Sequence, residues 1–248
     1  MRVCFLLRGG ISKKNAPHQM NYVNFRACFN SIKKYIIDVN KNCTFDFFIH
    51  CWSKDLSKDL ISLYEPKKYQ FEDNNLYSNT IKSIQNKYHL TDQQSYNQIS
   101  SSLSLKKSIG LMESYSAENQ IVYDLVISYR PDILIWKDMD LSNYSRNIIY
   151  VNKWYDAIGD FHFIMNMNHA NKFKNLFDSC SEGNNKPMVH VWIKNYIVNY
   201  LKIQLEEDNI RAGFDQEVLR QLYLCSYSVG KILEKQMNEL GLTLADIM

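Results

Sequence analysis

Two short groups of charged residues stand at the ends of apolar runs, and there the chain could do chemistry. The first is Arg130-Pro131-Asp132, which interrupts the run IVYDLVISYRPDILIWKDMDL over residues 121–141. Val122, Leu125, Val126, Ile127, Ile133, Leu134 and Ile135 suit a strand covered on both faces. Such a strand has no low-energy place for an unpaired ion. Arg130 and Asp132 therefore either stand where the strand ends at a cleft or pair with each other to fix a turn, and both readings stay open. Pro131 fits a strand end, edge or bulge, because it cannot donate to a central ladder. The second group is Arg8-Gly9-Gly10-Ile11-Ser12-Lys13-Lys14, after a short strand over 2–7. Two glycines let backbone amides come close to an anion, and Arg8 and Lys13 add positive charge. The spacing is neither GxGxxG nor a Walker loop, and a plain turn accounts for it equally.

Elements must hold these groups in place. The spacing of Val23, Ala27, Ile32, Tyr35 and Ile36 predicts a helix over 21–39, and CTFDFFIHCW predicts a strand over 43–52. Strand–helix–strand at this spacing implies a parallel α/β sheet, in which ligands bind beyond the carboxyl ends of the strands. Arg8 and His50 would both lie at that edge; a core histidine satisfied by a backbone carbonyl is the other reading of His50. A helix over 53–63 and a strand over 67–71 follow. Residues 73–100 are polar, helical around 80–88, and resemble a mobile segment that covers a site. A helix over 101–117 leads into the central strand, and strands over 147–151 and 161–165 come after it. Helices are expected over 168–180, 188–201, 215–224 and 229–240, the last able to pack on the core or a partner chain.

Composition narrows the class. With 46% hydrophobic residues, the 248-residue chain can bury a substantial core, and four prolines and eight glycines leave little room for linkers. A net charge of +3 suits a small anionic ligand or weak peripheral contact with acidic lipid, and excludes a nucleic-acid-binding signature. Six cysteines without CxxC spacing read as buried thiols of a reducing compartment, and no metal-ligand spacing is present. The apolar part of MRVCFLLRGG is too short for a signal peptide, and no run reaches membrane-span length, so a soluble cytoplasmic protein is expected.

The order LLRGG, FDFFIHCW, a Ser-rich helix start, YDLVISYRPD and AIGDFHFI resembles nucleotide-sugar glycosyltransferases of the GT-A type, found in bacterial surface-polysaccharide clusters and large DNA viruses. The resemblance covers roughly residues 1–180. It implies an α/β GT-A-like fold: a Rossmann-like, mostly parallel sheet flanked by helices, with a helical C-terminal segment. One domain over 1–248 would divide into a nucleotide-sugar-binding half (1–140), an acceptor half (141–225) and a C-terminal helix (226–248). The resemblance further implies a nucleotide-sugar donor, a glycan or other hydroxyl acceptor, and donor contacts from Arg8, Gly9, Gly10, Lys13, His50, Trp52, Lys106 and Arg130. In GT-A enzymes an Asp-x-Asp motif closes the central strand and holds a divalent cation (Mn²⁺ or Mg²⁺) on the diphosphate. Here only the final aspartate is present, so Asp132 is the metal candidate and Arg130 a partial substitute for the cation. Asp138-Met139-Asp140, a literal Asp-x-Asp, lies past the strand end and reads as a turn. Asp160 matches the position of an acidic group presented to the acceptor, and would be the general base of an inverting transfer; a turn aspartate beside Gly159 is the other reading. A non-catalytic, degenerate protein of the same fold is the alternative function. A third is another Rossmann-like transferase of phosphate-bearing groups, gripping phosphate with Arg8, Lys13 and Lys106.

Overall fold

Period-two alternation along the first strand sends Val3, Phe5 and Leu7 into one apolar layer and Cys4 and Leu6 into another, with all five buried. A strand apolar on both faces belongs in the middle of a covered sheet, and β1 (Arg2–Gly9) lies there. The computed structural model describes residues 1–11, 24–154, 157–184, 186–187, 191–211, 215–218 and 238. Lys13, the pair Tyr155-Asp156, Cys225 and nearly all of the segment expected to be helical after 218 lie outside these residues.

Seven strands form one sheet in the order β3-β2-β1-β4-β7-β6-β8. β2 (Thr44–Cys51), β3 (Lys68–Phe71) and β4 (Leu125–Tyr129) extend β1 in parallel on either side. β7 (Ala157–Met165) pairs antiparallel with β4 and with β6 (Ile148–Trp154), and β8 (Gln204–Glu207) runs parallel to β6. Helices α1 (Phe25–Ile32) and α2 (Ser57–Tyr64) cover the layer under Phe5, Leu7 and Phe47. The opposite layer lies under α3 (Ser78–Lys87), α4 (Gln93–Asn119), α5 (Met167–Phe173), α6 (Leu176–Glu182) and α7 (Val191–Asn195). The fold is α/β, with a mostly parallel central sheet between helices, as the sequence implies.

Three expectations are corrected. Residues 73–100 are not a loose cover: α3 and the start of α4 pack there, with Ile81, Ile84 and Ile99 buried. Asp92 nucleates α4 early by accepting the Ser95 N–H at 2.6 Å, so a polar stretch of weak period still becomes helix. Residues 133–135 do not continue the central strand: β5 (Ile133–Ile135) leaves the main sheet and pairs with β9 (Gln216–Val218). β9 occupies part of the expected 215–224 helix, because the open edge of β5 offers ladder hydrogen bonds and local propensity yields to tertiary pairing. Buried Gln216 fastens this addition through Tyr129 and His162, and His162 Nε2 meets Asp208 Oδ2 at 2.7 Å. The described cysteines are all free thiols, and no described helix is long and apolar enough to cross a membrane.

Candidate active site

β2 and β3 extend the sheet to one side of β1, whereas β4 returns on the other side. The order therefore reverses between β1 and β4, and in parallel α/β sheets the crevice outside the carboxyl ends at such a point receives ligands. The ends of those two strands carry Arg8 and Arg130-Pro131-Asp132.

Arg8 is 2% exposed and makes three hydrogen bonds, all to neutral oxygens. Its Nε donates to Ser128 Oγ at 2.8 Å, one terminal nitrogen to Ser101 Oγ at 2.7 Å and the other to the Asp160 carbonyl at 2.5 Å. Burial lowers its pKa to about 10, partly offset by the Asp160 carboxylate, so it remains a cation at neutral pH. Gly9 then turns the chain at φ +104°, a conformation side chains resist, and gives its N–H to Ser104 Oγ at 2.7 Å.

β4 stops at Tyr129, and the next three residues make a tight turn. Arg130 lies across Asp132 in a bidentate pair, Nε to Oδ1 at 3.0 Å and NH2 to Oδ2 at 2.9 Å, with the Asp132 side chain wholly buried and that of Arg130 19% exposed. Both sequence readings therefore hold at once: the residues pair, and they do so at a strand end. Arg130 NH1 also stands 3.9 Å from Asp160 Oδ1, beyond hydrogen-bond length.

Asp160 lies inside β7 and not in a turn before it. A bulge in β6 lets Asn152 turn inward, where its Oδ1 accepts the N–H groups of Phe161 at 3.1 Å and His162 at 3.4 Å. A Cβ at position 159 would come within 2.0 Å of Asn152 Nδ2, which is why a glycine precedes Asp160. Asp160, Arg8, Gln98, Ser101 and Trp192 line a narrow cavity of about 10 Å³, on the scale of one water. The buried Trp192 indole N–H has no hydrogen-bond partner there.

On the other side of β1 lies a closed network. His50 is fully buried, with Nδ1 at 2.7 Å from Ser104 Oγ and Nε2 at 3.0 Å from Glu72 Oε2. Burial pushes its pKa down to about 4, so it is neutral near pH 7. Burial opposes the charge on Glu72 as well, but hydrogen bonds from Lys107 at 2.6 Å, His50, and Tyr77 at 2.8 Å hold its carboxyl at about 2. Trp52 sets its ring edge-on to His50, 4.5 Å between centroids, and packs near Gly10.

The structure thus brings Arg8, Arg130, Asp132 and Asp160 together, with Gly9, Gly10, His50 and Trp52 on the adjoining strand ends. Lys106 is turned away: its Nζ pairs with Asp178 at 2.6 Å and lies over the Phe177 ring. Its neighbour Lys107 faces the strand ends instead. Ser101, Ser104, Glu72, Lys107 and Asn152 were not singled out from the sequence. Ser101 and Ser104 had a signal, since residues three apart share a helix face. Glu72 and Asn152 had none, because only pairing and a bulge bring them in. Asp140 forms a turn, as expected, accepting the Ser142 N–H at 2.9 Å.

The residues present do not fit the divalent cation that the resemblance implies. The Asp132 carboxylate is wholly buried and already paired with Arg130 through both oxygens, and among the described residues no three His, Cys, Asp or Glu side chains gather around a possible ion.

No protein-family model matches the chain, and no curated protein matches it in sequence. Among solved structures it is similar to a glycosyltransferase involved in the glycosylation of the major capsid of PBCV-1, at 7% identity and a TM-score of 0.42 over 84% of this chain and 81% of that one. It is also similar to CTP:phosphocholine cytidylyltransferase (LicC) from Streptococcus pneumoniae, at 13% identity and a TM-score of 0.45 over 95% and 99%. A third similar structure is mouse xyloside xylosyltransferase 1, at 9% identity and a TM-score of 0.40 over 82% and 78%. Likeness at this level carries no argument about reaction, which has to be read from the site.

Proposed function

We propose that this chain is a glycosyltransferase that moves a sugar from a nucleotide sugar to a hydroxyl of a glycan or similar acceptor, in surface-glycan synthesis. The observation that carries the reading is the meeting of Arg8, Arg130, Asp132 and Asp160 where the strand order reverses. Residues 1–140 supply the donor side through Gly9, Gly10 and Arg130, and the later strands supply the acceptor side through Asp160. The chemistry asks for a cation where the diphosphate leaves and a base where the acceptor attacks. Arg130 is the cation. Asp160, with 13% of its side chain exposed, is the base. The acceptor oxygen bonds to the anomeric carbon while the bond from that carbon to the phosphate oxygen breaks. The hydroxyl proton passes to Asp160, and the electron pair leaves with the nucleoside diphosphate beside Arg130. Arg8 positions the base by holding its backbone carbonyl.

Asp132 favours a second reading, a nucleotide-sugar-binding protein without catalysis, because its carboxylate is buried and neutralised. Incubation with a panel of nucleotide sugars, with and without glycan acceptors, separates the two. The transferase reading expects nucleoside diphosphate release from at least one donor. Binding without release would support the second reading, and absence of both binding and release would contradict both.

A further inference from the structure

We infer that Arg130, clamped by Asp132, stands in place of a divalent cation, so that nucleoside diphosphates bind without metal. This rests on the transferase reading and adds that the site holds the diphosphate without a metal ion.

Asp132 already gives both carboxylate oxygens to a permanent cation and has no exposed face. Both accept from Arg130, at 3.0 and 2.9 Å, and the side chain is completely buried. Hard divalent cations need several oxygen ligands at about 2.0–2.6 Å. Ligation by Asp132 would set the ion against a buried carboxylate that the guanidinium already neutralises. Charge opposes that ligation. Arg8 and Arg130 already balance Asp132 and Asp160, and a dication would place two more positive charges beside the buried Arg8. Like charges in a site of low polarity are strongly disfavoured. Asp160, the other nearby carboxylate, already faces Arg130 NH1 at 3.9 Å.

Arg130 has the properties the replacement needs. A guanidinium stays charged at any working pH, and its planar donors match phosphate oxygens. Asp132 binds one edge of it and so fixes its plane. The Phe161 ring lies 5.8 Å from its central carbon and supports its face. The side chain is 19% exposed, enough to meet a ligand at the strand end, whereas Arg8 at 2% is not. Asp132 is thus a positioning residue, and Arg130 the group that touches the leaving diphosphate.

Calorimetric titration of the full chain with UDP, GDP, CDP and ADP, in EDTA and then in Mn²⁺ or Mg²⁺, tests this. At least one nucleotide should bind with an affinity that changes less than about twofold between the two conditions. Arg130→Gln should weaken that nucleotide about tenfold or more, the loss of a charge-assisted hydrogen bond, and added metal should not restore it. Arg130→Lys should recover only part of the loss, because an ammonium cannot keep the bidentate hold on Asp132. Thermal melts identify the folded variants, and the parent with and without metal decides the matter if neither folds. Binding that needs metal, or unchanged affinity in folded Arg130→Gln, would overturn the inference and leave the transferase reading standing. Binding of no nucleotide under either condition would overturn both.

Discussion

The sheet edge carries two polar clusters made from the same kinds of residue, one on each side of β1, and they are finished differently. Around Glu72, His50, Lys107, Tyr77 and Ser104 every contact is at hydrogen-bond length, and the one carboxylate has three donors. Around Arg130, Asp132 and Asp160 one carboxylate is buried in a bidentate pair, while the other lies 3.9 Å from the same guanidinium and lines a small cavity. A network satisfied within itself rigidifies the structure. A cluster with a partly exposed acid beside a held cation can exchange a proton and meet an anion. The difference teaches how the proposed function would divide the sheet edge: the β2–β3 side would support the site and the β4–β7 side would carry the chemistry.

Substitutions can break that division of labour. The largest effect should come from Asp160→Asn, which removes the proposed base and keeps the shape: turnover should fall roughly 10²–10⁴-fold. Nucleotide affinity should stay within about twofold. Turnover per folded molecule within a few-fold of the parent would reduce Asp160 to a structural residue.

Glu72→Gln should act on stability alone. It leaves Lys107 and His50 with a poorer partner, at a cost of about 1–3 kcal/mol, seen as a lower denaturation midpoint with normal turnover. The same network predicts a pH dependence. His50 accepts a proton near 6.5 when unfolded but only near 4 when buried, so stability should fall as pH drops from 6.5 to 4. Glu72, ordinarily at 4.5 and held at about 2, should add a further loss as pH falls below 4.5. Denaturant midpoints flat between pH 7 and 4 would contradict the closed network, and His50→Gln should remove the upper part of the slope.

Gly159→Ala tests the support beneath Asp160. The new Cβ must push Asn152 off the Phe161 and His162 amides, costing about 1–3 kcal/mol and lowering turnover in the folded fraction. Lys106→Ala should do least, at most about 1 kcal/mol, because its pair with Asp178 lies on the surface. A large loss of nucleotide affinity there would mean that α4 presents a different face to the ligand.

The parallel half of the fold was legible because its strands are apolar on both faces and end in charged residues. Arg8, His50, Arg130 and Asp132 could be placed at strand ends by that logic alone. What could not be read depends on contacts distant in sequence. β9 exists because β5 has an edge to fill. Asp160 sits within β7 because the bulge at Asn152 and the glycine before it let the strand start earlier. Lys106 and Lys107 are adjacent, and only the packing of α4 against α6 decides which one reaches the strand ends. The pairing of Asp132 with its neighbour two residues away was one of two open readings, and side-chain geometry joined them.

Hydrogen exchange measured with and without a saturating nucleoside diphosphate tests most directly where the site lies. The strand-reversal site predicts added protection at residues 9–11 and 130–133, at the ends of β1 and β4, with little change along β6 and β8. Protection confined instead to the groove of Asp138, Tyr144, Glu207 and Asp208, with residues 130–133 unchanged, would contradict it.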